Sequence, residues 1–87
     1  MTKFNAKIID KIGLHARPAT ALVMQSGKFR STIKINSKGK TGNLKSIMNV
    51  MSLGIKHNDE IEIIAEGDDE AVAIETIQKL MKDNKLI

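Results

Sequence analysis

One short segment of the chain carries most of its chemical information: residues 13–20, which read GLHARPAT. Pro18 suits the first turn of a helix, because the N–H that proline lacks has no helical partner there. The backbone N–H groups of Ala16 and Arg17 then remain free at the helix N-terminus, where the helix dipole favours an anion. The Arg17 guanidinium adds a planar, permanently charged group that suits phosphate oxygens. The segment therefore predicts an anion site.

His15 is the candidate nucleophile beside this site. A neutral imidazole nitrogen attacks phosphorus readily and also leaves it readily, and a reversible phosphoryl carrier needs both properties. Gly13 is expected to give the loop the freedom that presents the ring. A histidine near a helix start is more often a cap or a surface residue, so the residue chemistry alone indicates only a generic anion-binding helix start.

Ser46 is a second candidate for chemistry. A serine directly before a short helix is typically an N-cap, worth about 1 kcal/mol, and most such serines do nothing else. A phosphate on the same hydroxyl would also lie at a helix N-terminus, where it is tolerated.

The short helix after Ser46 has apolar residues on more than one side and cannot bury all of them. Methionine and isoleucine at helical spacing are more often core residues, and Leu44 is expected to share one side with the helical ones. Methionine also suits surfaces that meet several partners. We therefore assign four residues to a docking patch beside His15: Thr20, Ile47, Met48 and Met51.

Hydrophobic periodicity predicts the elements that position these residues. Alternation predicts strands, with a turn at residues 37–39 that makes a hairpin plausible. The predicted strands cover residues 3–9, 31–36, 40–42 and 60–66. Spacings of three and four predict helices over residues 16–27, from Ser46 to Gly54, and after an N-cap at Asp68 or Asp69.

The predicted order is β-α-β-β-α-β-α, within a single domain that covers residues 1–87. Four strands with one apolar face need a layer of helices on that face. We therefore expect an α+β fold with a mainly antiparallel sheet and the helices on one side.

Composition narrows the function. The chain has no cysteine, which excludes disulfides and thiolate metal sites. It has only two histidines, so a histidine-rich metal site is not expected either. It has no run of about 18 apolar residues and no signal-like N-terminus, so we expect a cytoplasmic protein without membrane insertion. The net charge of +4 raises nucleic-acid binding as an alternative, but the lysines are scattered and only two residues are aromatic. We expect no metal, no cofactor and no nucleic-acid partner.

Two segments together resemble one known family. The segment at residues 13–20 closely resembles the phosphorylation-site motif of the HPr family. The segment NLKSIMNVMSLG, Asn43 to Gly54, resembles the second signature of that family, including its regulatory serine. The spacing and the order of strands and helices also fit, and the resemblance is to the low-GC Gram-positive or mollicute-like branch.

The resemblance implies a fold and a function. The fold would be an open-faced β-sandwich, with four antiparallel strands covered on one face by three helices. His15 would take phosphate on Nδ1 from phospho-enzyme I, which draws it from phosphoenolpyruvate, and pass it to the histidine of sugar-specific enzyme IIA proteins. Arg17 would assist by screening charge. The chain would be a monomeric carrier and a cosubstrate, not a turnover enzyme.

The resemblance also implies regulation through Ser46. An ATP-dependent HPr kinase/phosphorylase would phosphorylate it, weakening docking on the neighbouring surface, and the phosphoserine form would bind a transcriptional regulator of carbon catabolite repression. Two alternatives stay open at this point: a paralogous carrier in a nitrogen-related phosphotransferase chain, and a regulator that acts through Ser46 without transfer. The Ser46 segment favours the sugar branch, and the presence of His15 argues against a regulator without transfer.

Overall fold

Four antiparallel strands form one sheet in the computed structural model, which describes residues 1–87. The strands are β1 (Thr2–Lys7), β2 (Thr32–Ser37), β3 (Lys40–Asn43) and β4 (Glu60–Glu66). Their order across the sheet is β1-β4-β2-β3, so the last strand in sequence lies beside the first. The register aligns Phe4, Ile63 and Ile35 in one row across three strands.

Three helices cover one face of this sheet: α1 (Ala16–Ser26), α2 (Ile47–Ser52) and α3 (Glu70–Asp83). Alternation along β4 buries Ile61, Ile63 and Ala65 against the helices, while the intervening residues lie on the opposite face. The predicted fold class, an α+β open-faced β-sandwich with four antiparallel strands and three helices, is confirmed.

A cluster of 18 buried apolar residues joins the sheet to the helices. Helix α1 contributes Ala19 and Leu22, and α3 contributes a stripe that includes Ile77 and Met81. Burying one such large side chain stabilises the fold by about 1.5–3 kcal/mol. No helix is both long enough and apolar enough to cross a lipid bilayer.

Gly13 has a different role from the one expected. It is buried, its φ is +87°, and a Cβ atom at this position would lie 2.6 Å from the Ile55 carbonyl oxygen and 2.7 Å from the Lys56 Cα. The adjacent Leu14 N–H donates to the same Ile55 carbonyl at 3.0 Å. Glycine is required here because the two backbones touch, so it fixes the loop and does not loosen it.

The expectation that Leu44 shares one apolar side with Ile47, Met48 and Met51 was wrong. Leu44 is fully buried, and its N–H donates to the Ile33 carbonyl at 2.9 Å, which extends the sheet beyond β3. The other three side chains are exposed. Helix α2 turns Val50 to the core instead.

Asp69 occupies the N-cap position of α3, but its side chain does not cap that helix, and neither does that of Asp68. The Asp69 carboxylate instead accepts hydrogen bonds from the backbone N–H groups of Arg30 and Ser31 and from the Ser31 hydroxyl. These bonds, that of the hydroxyl above all, lower the pKa of Asp69 to about 2. The predicted cap was therefore wrong in its role, because a tertiary partner outcompetes the helix end.

Candidate functional site

His15 stands immediately before α1 with an extended backbone, φ −92° and ψ −178°. Its carbonyl accepts the first hydrogen bond of the helix, from the Ala19 N–H at 3.0 Å. The ring makes no capping hydrogen bond, and its side chain is 35% exposed. The imidazole therefore lies at the start of the helix without capping it. Its exposed part remains accessible to another protein.

Free donors lie at the start of the helix that directly follows His15. The N–H groups of Ala16 and Arg17 donate to no protein acceptor, and Pro18 fills the first turn as a buried residue. The first turn carries no acidic side chain. The Arg17 side chain is exposed and makes no ion pair. The groups that the predicted anion site requires are therefore present and unpaired at the start of α1.

Asp10 also belongs to this site, although the sequence analysis did not select it. Its Oδ2 lies 3.7 Å from the Nε2 of His15. Its Oδ1 accepts from the Ile12 N–H at 2.8 Å, and its carbonyl accepts from the Gly13 N–H at 3.0 Å. Aspartate at the first position of a four-residue turn with glycine at the fourth is a known turn pattern, so the sequence did contain a signal.

A shallow cleft of about 200 Å³ joins these groups and adds Ala21 of α1 and Asn84, the residue that follows α3. Its lining residues are Asp10, His15, Arg17, Pro18, Ala21 and Asn84. Ligand pockets typically measure about 300–1,000 Å³, so this one suits a small anion better than a sugar. A larger hollow of about 380 Å³ at the β1–β4 edge shares none of these residues and contains no nucleophile or arginine.

Ser46 is the N-cap of α2. Its Oγ accepts from the Asn49 N–H at 3.3 Å and from the Asn49 side-chain Nδ2 at 3.2 Å. The geometry thus agrees with the structural role of this serine. The residue is only partly buried, so its hydroxyl remains within reach of another protein.

The residues assigned to docking lie on α1 and α2, which pack against each other. Ile47 is 37% exposed, Met51 42% and Met48 79%. Thr20 is exposed, and its hydroxyl donates to the Ala16 carbonyl at 2.7 Å.

Helix α1 adds an exposed apolar residue, Met24, which was not among the docking residues predicted from the sequence. Met24 is 68% exposed and follows Thr20 by one helical turn, so the two share a face of α1. Exposure of a methionine inside an amphipathic helix is set by tertiary packing, which periodicity alone does not resolve. We call Thr20, Met24, Ile47, Met48 and Met51 the apolar patch.

The second histidine is not remote from the site. His57 is exposed, as expected, but its Nδ1 lies 3.3 Å from the carbonyl oxygen of Asp10. The loop that carries His57 therefore contacts the loop that carries Asp10.

Comparison with known proteins adds an independent finding. Residues 2–83 match the family model described as PTS HPr component phosphorylation site. The chain is 53% identical over 87 residues to the phosphocarrier protein HPr of Mycoplasma capricolum, covering 100% of this chain and 98% of the relative.

Two solved structures extend the comparison. A Mycoplasma histidine-containing phosphocarrier protein superposes with a TM-score of 0.98 at 52% identity, covering 99% of this chain and 98% of that one. An HPr dimer from Thermoanaerobacter tengcongensis superposes with a TM-score of 0.77 at 40% identity, covering 98% of both chains.

Proposed function

Because the chain belongs to the HPr family of phosphocarrier proteins, we propose that His15 accepts a phosphoryl group from phospho-enzyme I, ultimately from phosphoenolpyruvate, and passes it to a histidine of sugar-specific enzyme IIA proteins. One observation carries the proposal. The ring of His15 is partly exposed, makes no capping hydrogen bond to α1, and stands next to two helix N–H groups that have no acceptor. The acceptor atom is Nδ1.

The helix start supplies the electrostatics of transfer. Phosphoryl transfer needs positioning and stabilisation of charge on the three equatorial oxygens. The N–H groups of Ala16 and Arg17 point along the helix axis toward those oxygens, and the Arg17 guanidinium screens their charge. The same groups serve acceptance and donation, because the phosphoryl group occupies the same place in both directions.

The chain acts as a carrier and cosubstrate, and its partners supply the rest of the transition-state stabilisation. They dock on the apolar patch, and a transient interface of this kind buries less than or near roughly 1,200 Å². We propose that the carrier works in the cytoplasm as a monomer, one domain over residues 1–87, with no metal or cofactor of its own.

Regulation through Ser46 is the second part of the proposal. An ATP-dependent HPr kinase/phosphorylase adds phosphate there, and the phosphorylated form binds a transcriptional regulator of carbon catabolite repression. The supporting observation is that Ser46 is directly followed by Ile47 and Met48, two exposed members of the apolar patch. A phosphate charge of about −2 at the rim of the apolar patch disfavours docking there, because the charge would have to be desolvated.

The experiment that tests transfer mixes the protein with phosphoenolpyruvate and a trace of enzyme I, then records intact mass and phosphorus NMR. We expect one acid-labile phosphoryl group that is absent in His15→Ala and retained in His57→Ala. No label on the wild-type chain, under conditions that label a known phosphocarrier, overturns the proposal.

A further inference from the structure

We propose that Asp10 is a positioning residue for His15, whose carboxylate keeps the ring proton on Nε2 and so leaves the Nδ1 lone pair free for phosphorus. The inference rests on the proposed function, since it assigns Asp10 a part in the reaction of His15.

The Asp10 carboxylate has a fixed orientation. The Ile12 N–H holds its Oδ1 at 2.8 Å, and the Gly13 N–H holds its carbonyl at 3.0 Å. The side chain is only 23% exposed. One carboxylate oxygen is thereby committed to the turn, and the other, Oδ2, is the one directed at the imidazole.

The ring has a different environment at each nitrogen. Nε2 lies 3.7 Å from Oδ2 of Asp10, about half an ångström too long for a hydrogen bond. Catalytic hydrogen bonds of this kind are often long in the free protein and shorten in the complex. A carboxylate accepts a hydrogen bond and never donates one when ionised, so it favours the tautomer with hydrogen on Nε2. Nε2 is the ring nitrogen for which the structure gives this contact, so Nδ1 is the one left for phosphorus in the proposal.

Asp10 is the acidic group at an otherwise basic site. The cleft is lined by one carboxylate, one imidazole and one guanidinium, that of Arg17. The turn accounts for Oδ1 of this carboxylate, which accepts from the Ile12 N–H, but it leaves Oδ2 without a hydrogen bond. Pairing with the ring proton gives Oδ2 a partner.

The proposed transfer needs no external acid or base. The Nδ1 lone pair forms a bond to phosphorus, the bond from phosphorus to the donor atom of phospho-enzyme I breaks, and its electron pair stays with the donor. Nε2 keeps its proton, so the product is a phosphorylated imidazolium ring whose positive charge faces Asp10. When the Nδ1–P bond breaks, the electron pair returns to Nδ1 and the leaving group is neutral imidazole.

Two substitutions distinguish the effect of the Asp10 charge on His15 from its role in holding the turn. Asp10→Asn keeps an oxygen for the Ile12 N–H but places an NH₂ donor toward Nε2, which favours the opposite tautomer. Asp10→Ala removes both groups. Asp68→Asn is the matched control, because Asp68 is exposed, makes no side-chain hydrogen bond and loses the same charge.

The decisive readout is the tautomer of the neutral His15 ring, measured from proton–nitrogen NMR correlations of the unphosphorylated protein. We expect the fraction with hydrogen on Nε2 to be highest in wild type and Asp68→Asn, lower in Asp10→Ala and lowest in Asp10→Asn. An unchanged tautomer ratio in Asp10→Asn overturns the inference. This measurement uses no enzyme I, so it fails or succeeds independently of the carrier function.

The second readout is the rate of phosphoryl acceptance from enzyme I. If the Asp10–Nε2 contact shortens to a charge-assisted hydrogen bond in the complex with enzyme I, its loss predicts a decrease of about tenfold in Asp10→Asn, with the unfolding midpoint near that of wild type. A normal rate in Asp10→Asn overturns the inference even when His15 is shown to carry the phosphoryl group.

Discussion

The carboxylate of Asp69 receives two hydrogen bonds from Ser31, one from the backbone N–H at 3.0 Å and one from the hydroxyl. The two residues are 38 positions apart. Ser31 precedes β2 and Asp69 precedes α3, so this contact ties the loop that follows α1 to the start of the C-terminal helix. The contact lies outside the cleft that contains His15. Substitution of Asp69 should therefore change the stability of the fold without directly affecting transfer.

Stability at acidic pH should depend on Asp69. Its pKa of about 2 in the folded chain lies below the ordinary value of 3.8. Its stabilising contribution is therefore complete above about pH 4 and is lost as the pH falls from about 4 to about 2. In urea denaturation, we expect Asp69→Asn to be less stable than wild type at pH 7 and the difference to shrink across that range. A difference that stays constant from pH 7 to pH 2 contradicts this assignment.

Gly13→Ala should destabilise the chain because the added Cβ meets the backbone of Ile55 and Lys56 at a φ of +87°. We expect the free energy of unfolding to fall by about 3 kcal/mol. Gly39→Ala is the matched control, since its φ is +77° but a Cβ there has nothing within 4 Å; we expect a loss of about 1 kcal/mol. Urea denaturation measures both, and equal losses would show that the close approach is unimportant.

Arg17→Lys should slow phosphoryl acceptance although it keeps the charge. Lysine lacks the planar fork that binds two phosphate oxygens at once, and loss of one preorganised donor predicts a decrease of about tenfold or more. The control is Arg30→Lys, an exposed arginine outside the cleft. Initial rates with limiting enzyme I measure the effect. An equally fast Arg17→Lys protein would show that only the net charge matters.

Ser46→Asp should accept phosphate from enzyme I more slowly than wild type by about tenfold, because a negative charge at the rim of the apolar patch opposes docking. Aspartate is as good an N-cap as serine, so the fold should keep its stability. Ser46→Asn, also a good N-cap but neutral, should transfer at the normal rate. If Ser46→Asp accepts phosphate as fast as wild type, the inhibitory role is wrong.

Much of the fold follows from periodicity, because burial on one face of a sheet leaves a direct trace in the sequence. Ile61, Ile63 and Ala65 alternate in the sequence and alternate in the structure. Ser46 was predicted as an N-cap from its position alone, and its hydroxyl accepts the Asn49 N–H. Local rules suffice in these cases because the partners are near in sequence.

Contacts between distant segments could not be predicted in this way. Asp69 stands where a helix cap belongs, yet Ser31 binds it. Leu44 has the spacing of the α2 side chains but is pulled into the core by the bond from its N–H to Ile33. Asp10 had a turn signal, but its proximity to His15 depends on how the loop folds back. In each case the position of the side chain depends on contacts formed only in the tertiary structure, which local sequence patterns do not reveal.

Under the proposed function, the partial exposure of His15 also bears on the lifetime of the phosphorylated chain. The ring stands in an open cleft with a side chain 35% exposed, so water would reach a phosphoryl group bound to it. The phosphorylated form would therefore have a lifetime limited by spontaneous hydrolysis. A carrier of this kind would have to meet its next acceptor within that lifetime, so its structure suits brief transfer better than storage of phosphate.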